Sequence, residues 1–86
     1  MKNFKINRKE SKNKYTQLIE FYAVNSNNKE IYGADANIIR GKDDDSGKWE
    51  DWKLNYGSTG AKTYEEKLPY VQVIVEAMEE LKKLNR

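Results

Sequence analysis

Residues 48–56, KWEDWKLNY, contain both tryptophans of the chain and alternate in polarity. Trp52 and Leu54 fall on one side of the alternation, whereas Asp51 and Lys53 fall on the other. A period of two residues is typical of a β-strand with one face on a core and the other in water. We therefore predict a strand over residues 48–56 and place the rest of the chain around it.

Two further strands are predicted upstream of this one. Residues 15–24, YTQLIEFYAV, are rich in β-branched and aromatic residues and contain no Gly or Pro. Residues 31–40, IYGADANIIR, form the second predicted strand, in which Gly33 is expected to mark a bulge. The connecting loops are the Asn-rich residues 25–28 and the glycine-bounded residues 41–47.

Side-chain facing predicts the register of the two hairpins. Phe21 is expected opposite Tyr32, and Ala36 opposite Trp52. Both pairings place the following set on one face of the sheet: Tyr15, Ile19, Phe21, Tyr32, Ala34, Ala36, Ile38, Trp52, Leu54 and Tyr56. The small residues Ala34 and Ala36 lie in the middle of this face, so they leave room for another element to cross the sheet.

The element that crosses the sheet is predicted at the C-terminal end of the chain. Thr63 and Glu66 have the spacing of a helix capping box. Apolar residues then recur every three or four positions, as in an amphipathic helix: Tyr64, Leu68, Val71, Ile74, Val75, Met78 and Leu81. Pro69 predicts a short first turn, a kink or break, and then a helix over residues 70–84. A fourth strand over residues 71–75 is the alternative, but the length of the stripe favours a helix.

The resulting fold class is α+β, with a three-stranded antiparallel β-meander packed on one long C-terminal helix, and a ββββα arrangement as the alternative. The 86 residues form a single domain. Residues 1–14 are expected to form a flexible basic arm with a net charge of +5, whereas residues 15–86 carry −3 and form the domain. Because Phe4 and Ile6 alternate with polar residues, an additional edge strand is the alternative for part of the arm.

Composition argues against enzymatic chemistry, because the chain has no Cys or His and so lacks the usual zinc ligands and activated nucleophiles. We expect no enzyme, no catalytic residue and no cofactor. Asp43, Asp44 and Asp45 resemble a calcium loop, but Leu54 stands where an EF-hand requires Glu, so we expect no metal. No apolar run approaches the roughly 18 residues of a membrane span, and a chain without cysteine suits the cytoplasm.

The candidate binding residues are aromatic and basic. In the predicted register Tyr22, Trp49 and Lys53 lie on the outer face of the sheet, where aromatic rings can stack nucleic-acid bases. The residues expected to contact phosphates come from the second hairpin and the arm: Arg40, Lys42, Lys48, Arg8, Lys9 and Lys12. We therefore expect a small non-enzymatic nucleic-acid-binding protein, and single-stranded nucleic acid is one candidate ligand.

A protein-binding module is the alternative function. The abundance of Asn, Lys, Ile and Tyr, which have AT-rich codons, suits a phage- or plasmid-encoded inhibitor or adaptor of a host protein. The acidic residues 43–45 would then matter more than the arm. Apolar residues of the outer face, such as Leu18 and Tyr22, can also form a homodimer, which is compatible with either function. In a third arrangement the arm, or the loop after residue 56, folds over that face.

Overall fold

The structure is a computed structural model that describes residues 3–57 and 60–85. It shows a four-stranded antiparallel sheet in the order β1-β2-β3-β4 with one helix packed on one face. The elements are β1 (Phe4–Lys12), β2 (Thr16–Asn25), β3 (Glu30–Gly41), β4 (Lys53–Tyr56) and α1 (Tyr64–Leu84). The predicted α+β class is confirmed, in its four-stranded ββββα form.

Strand β1 comes from the basic N-terminal segment and pairs antiparallel with β2 along its whole length. Asn13 closes the hairpin, because its side-chain oxygen accepts a hydrogen bond from the backbone N–H of Thr16 at 2.8 Å. Most of the separate arm expected over residues 1–14 is therefore an edge strand. The alternation of Phe4 and Ile6 explains the difference, since both side chains are half-buried and pack against the core.

The hairpin between β2 and β3 turns where the asparagines predict it, and Asn28 adopts a left-handed φ of 62°. The predicted register is wrong by four residues, because Phe21 lies opposite Ala36 and not opposite Tyr32. One residue of the shift arises at the turn, where Val24 lies opposite Glu30 and not Lys29, and the other three arise at an irregularity where four residues of β3 oppose one residue of β2. The predicted bulge residue, Gly33, lies there with a φ of 80°. Because the shift is an even number, the side chains beyond the bulge keep their predicted faces, while Tyr32 becomes fully exposed.

The predicted strand over residues 48–56 is too long, since β4 begins only at residue 53. The reason lies at the end of the helix. The backbone N–H of Trp52 donates to Oδ1 of Asn85 at 3.1 Å, and the Trp52 carbonyl accepts from Nδ2 of Asn85 at 3.2 Å. The backbone of Trp52 therefore binds the helix end and not β3. In the resulting register Ala36 lies opposite Tyr56 and not opposite Trp52.

Helix α1 packs on the sheet through small residues. Pro69, Val73 and Ala77 follow one another at intervals of four and are buried, and the last two have no exposed surface. They belong to one core with Ala34 and Ala36, each 3% exposed. Small side chains on both elements allow a close approach of the two backbones.

The apolar stripe predicted to face the sheet is divided between two sides of α1. Ile74 and Leu81 pack against the core, as expected. The other side of the helix exposes Tyr64, Val71, Val75 and Met78 to solvent. The difference arises because Pro69, Val73 and Ala77 occupy the side toward the sheet, so the apolar residues on the opposite side of the helix face away from it.

The helix begins at Tyr64 and runs through Pro69 as a single element, so of the predicted kink or break the break is wrong. Pro69 is the sixth residue of α1, so the helix lacks one internal backbone hydrogen bond there and still continues. The predicted cap is confirmed, since Oγ1 of Thr63 accepts from the backbone N–H of Glu66 at 3.2 Å. The fourth strand is β1, and residues 71–75 are helical. Within the described chain no helix is long and apolar enough to cross a membrane.

We expect Ala36→Leu to lower the free energy of unfolding by about 1–3 kcal/mol, because the added atoms have no room beneath α1. Urea denaturation followed by circular dichroism would measure the change. The matched control is Lys5→Leu at an exposed position of β1, which should alter the free energy by less than about 0.5 kcal/mol. Equal stability of the two variants would contradict close packing of α1 on β3.

Candidate functional site

The two tryptophans lie on the same face of the sheet, although their spacing predicts opposite faces. The pairing passes from Ile39 opposite Lys53 to an isolated bridge between Lys42 and Trp49. Between these pairs the chain before β4 has one residue more than β3. The extra residue reverses the alternation, as a β-bulge does. Trp49 therefore joins Trp52 on the face that carries α1, and its prediction as an outer-face residue is wrong.

Arg40 contacts both indole rings. Its guanidinium carbon lies 4.9 Å from the centroid of Trp49 and 4.9 Å from the centroid of Trp52. Its Nε donates a hydrogen bond to Oε1 of Gln17 on the neighbouring strand at 2.7 Å. Such cation–π contacts contribute about 0.5–2 kcal/mol each. The guanidinium is thus held in place by two aromatic rings and an amide.

Two lysines approach Trp49, one at the end of β1 and one just after β3. Nζ of Lys12 lies 5.6 Å from the ring centroid and Nζ of Lys42 lies 5.5 Å from it. Among residues 3–57 and 60–85, no carboxylate forms an ion pair with Lys12, Lys42 or Arg40. We call Lys12, Arg40, Lys42 and Trp49 the Trp49 cluster. Its three positive charges favour the binding of an anion.

The acidic loop borders this cluster, and the first of its three carboxylates is bonded within the turn. Oδ1 of Asp43 accepts from the backbone N–H of Asp45 at 3.0 Å, and Oδ2 accepts from the Ser46 hydroxyl at 3.1 Å. Gly47 completes the turn with a φ of 70°. In the described part of the chain no three His, Cys, Asp or Glu residues are placed to hold a metal ion. The carboxylates lower the positive potential on the side of Lys42.

Arg8, a predicted phosphate contact, is paired with carboxylates of its own chain. It forms ion pairs with Glu10 at 2.9 Å and with Glu80 of α1 at 3.2 Å. Its guanidinium carbon also lies 5.6 Å from the ring centroid of Phe21. Hydrogen bonding to Glu80 is the main cause that raises the pKa of Arg8 above its ordinary value. Arg8 thus ties the edge strand to the helix and is not available to a ligand in the way Lys12 is.

The remaining predicted binding residues do not join the cluster. By their strand positions Tyr22, Lys53 and Lys9 lie on the outer face, and Lys9 is opposite Glu20 there. Lys48 is exposed in the acidic loop. Strand β1 extends the sheet and does not cross its outer face, whereas the loop after β4 includes residues 58 and 59, which lie outside the described residues. The structure therefore brings together only Trp49, Arg40, Lys42 and Lys12, the Trp49 cluster.

Two residues that support the site were not singled out from the sequence. Gln17 lies opposite Arg40 and binds it, while Trp52 was predicted only as a core residue. The alternation of Gln17, Ile19 and Phe21 places all three on one face. That signal could have placed Gln17 beside Arg40, but only with the correct register.

No protein-family model, no curated protein and no solved structure matches this chain. Its function is therefore inferred from the residues of the Trp49 cluster and from their charges and contacts.

We expect Asn85→Ala to disturb the site from the far end of the helix. The variant removes both hydrogen bonds to the backbone of Trp52, so the free energy of unfolding should fall by about 1–2 kcal/mol. Tryptophan emission should shift to longer wavelength as water reaches the ring of Trp52. Asn27→Ala, in the exposed hairpin loop, is the control and should change neither quantity. An unchanged emission spectrum in Asn85→Ala would show that this contact does not position Trp52.

Proposed function

We propose that this protein is a small non-enzymatic protein that binds single-stranded nucleic acid through the Trp49 cluster. The observation that supports the proposal is the convergence on one indole of Lys12, Arg40 and Lys42, which form no ion pair with the described carboxylates. Phosphates would contact these three side chains. The exposed part of Trp49 would stack on a base.

A single strand suits the cluster better than a duplex does. Lys12 of β1 and Lys42, which follows β3, both approach the indole, so a base on Trp49 would have its flanking phosphates near these two side chains. In a duplex the faces of the bases are stacked on one another and are not accessible to an aromatic side chain. Unstacked bases of single strands can be turned outward onto such rings.

The charge distribution around the cluster supports the same ligand class. Strand β1 carries four basic residues and one acidic residue, and it ends at Lys12. A basic edge strand raises the local concentration of a polyanion and speeds its association. The acidic run on which a host-protein inhibitor would depend closes its own turn through Asp43.

With no cysteine in the chain, a reducing cytoplasm is the location that we propose.

Titration with a short single-stranded oligonucleotide tests the proposal through tryptophan fluorescence. We expect saturable quenching that weakens with salt. Lys12→Gln and Lys42→Gln should each weaken binding, and each should reduce the slope of log affinity against log salt by about 0.7. These two lysines are exposed or half-buried, so neither change should unfold the protein.

Lys29→Gln is the matched control for this titration, because Lys29 is exposed in the hairpin at the other end of the sheet. It should bind as the wild-type protein does. The proposal fails if the wild-type protein shows no quenching at low salt. It also fails if Lys29→Gln weakens binding as much as Lys42→Gln does.

Arg40→Lys separates the shape of the guanidinium from its charge. The variant keeps the positive charge but loses the planar contact with the two rings and the hydrogen bond to Gln17. We expect affinity for the oligonucleotide to fall by roughly five-fold, or about 1 kcal/mol, with the salt slope unchanged. Lys42→Arg is the reciprocal control and should keep the wild-type affinity. Equal affinity of Arg40→Lys and the wild-type protein would show that the rings do not position the charge.

A further inference from the structure

Helix α1 exposes a continuous apolar line on the side that faces away from the sheet. The exposed fractions are 77% for Tyr64, 49% for Val71, 39% for Val75 and 47% for Met78. A helix packed on one side of a small domain normally carries polar residues at such positions. An apolar line of this kind is typical of an interaction surface.

The spacing of this line is that of a helix–helix seam. Starting at Tyr64, the steps to Leu68, Val71, Val75 and Met78 alternate between four and three residues, and the next step of four reaches Lys82. This is the spacing of the a and d positions of a heptad repeat, which form the contact between two packed helices. From Tyr64 to Lys82 the line is about 27 Å long at 1.5 Å per residue.

We propose that a second copy of this chain occupies the line, with α1 of one copy packed antiparallel on α1 of the other about a two-fold axis. In such a dimer each copy contributes the same surface, so the apolar line of one helix covers the apolar line of the other. Two copies thereby bury on each other the residues that one copy leaves in water. The proposed dimer interface is on α1 and not on the outer face of the sheet.

Charge at the two ends of α1 selects the antiparallel arrangement. The first turn is acidic, with Glu65 and Glu66, and the last turn is basic, with Lys82 and Lys83. An antiparallel pair places the acidic end of one helix beside the basic end of the other, whereas a parallel pair places like charges together. The helix dipoles also oppose each other favourably in the antiparallel pair. Lys82 of one copy would lie beside Tyr64 of the other and cover its ring.

The dimer does not depend on the binding of nucleic acid. The apolar line lies on the face of α1 that points away from the sheet, whereas the Trp49 cluster is built on the sheet and the loop after β3. The two proposals can therefore fail separately.

Analytical ultracentrifugation of the full chain without nucleic acid tests the dimer. We expect the wild-type protein to change from monomer to dimer as its concentration rises, and Val75→Glu to remain a monomer. Glu at an exposed helix position is a good helix former, so the far-UV circular dichroism of this variant should be unchanged. The matched control is Tyr32→Glu, which places the same charge at a fully exposed aromatic residue away from α1 and should still dimerise.

Cysteine cross-linking tests the orientation, and the chain contains no cysteine of its own. A mixture of Tyr64→Cys and Lys82→Cys chains should form a mixed disulfide. Neither variant alone should cross-link to itself, because like positions lie about 27 Å apart in the antiparallel pair, whereas a disulfide needs Cα atoms within about 7 Å.

Three outcomes would overturn the proposal. A wild-type protein that is monomeric at its highest soluble concentration would leave the line to a different partner. A Val75→Glu variant that dimerises like the wild-type protein would place the interface elsewhere. A Tyr64→Cys variant that cross-links to itself would exclude the antiparallel arrangement.

Discussion

Val73 and Ala77 of α1 lie fully buried against a sheet face whose central residues are Ala34 and Ala36. This packing of small side chains sets the rotation of the helix, because no larger residue of α1 could approach the sheet as closely. The rotation in turn leaves other apolar residues of α1, such as Val75, on the solvent side. The core and the exposed apolar line are therefore two consequences of one contact.

The same contact places the C-terminal end of α1 beside the last hairpin. Asn85 there binds both backbone groups of Trp52, which would otherwise extend β4. Since those residues are withdrawn from the ladder, one extra residue is accommodated before β4 and Trp49 changes face. The side chain then meets Arg40 and two lysines. A helix cap thus shapes the surface on which the charges converge.

The basic residues of the chain divide into two groups according to their partners. Arg8 is paired with Glu80 and joins the edge strand to the helix, so its charge stabilises the fold. Lys12 lies four positions after Arg8 on the same face of β1. Its ammonium group contacts the ring of Trp49 and pairs with no carboxylate among the described residues. From the sequence, both residues are predicted phosphate contacts. Nothing in their local pattern separates them, because the difference depends on whether α1 presents a glutamate.

Local patterns in the sequence determined strands β2 and β3, the asparagine turn, the bulge at Gly33 and the cap at Thr63, because each depends on neighbouring residues. They also determined most of the core face, since an even shift in register leaves the alternation of side chains unchanged. Only the tertiary structure decided which side of α1 packs on the sheet, because apolar residues occupy both sides. It also decided the face of Trp49, which depends on a contact between Trp52 and Asn85, residues 33 positions apart along the chain.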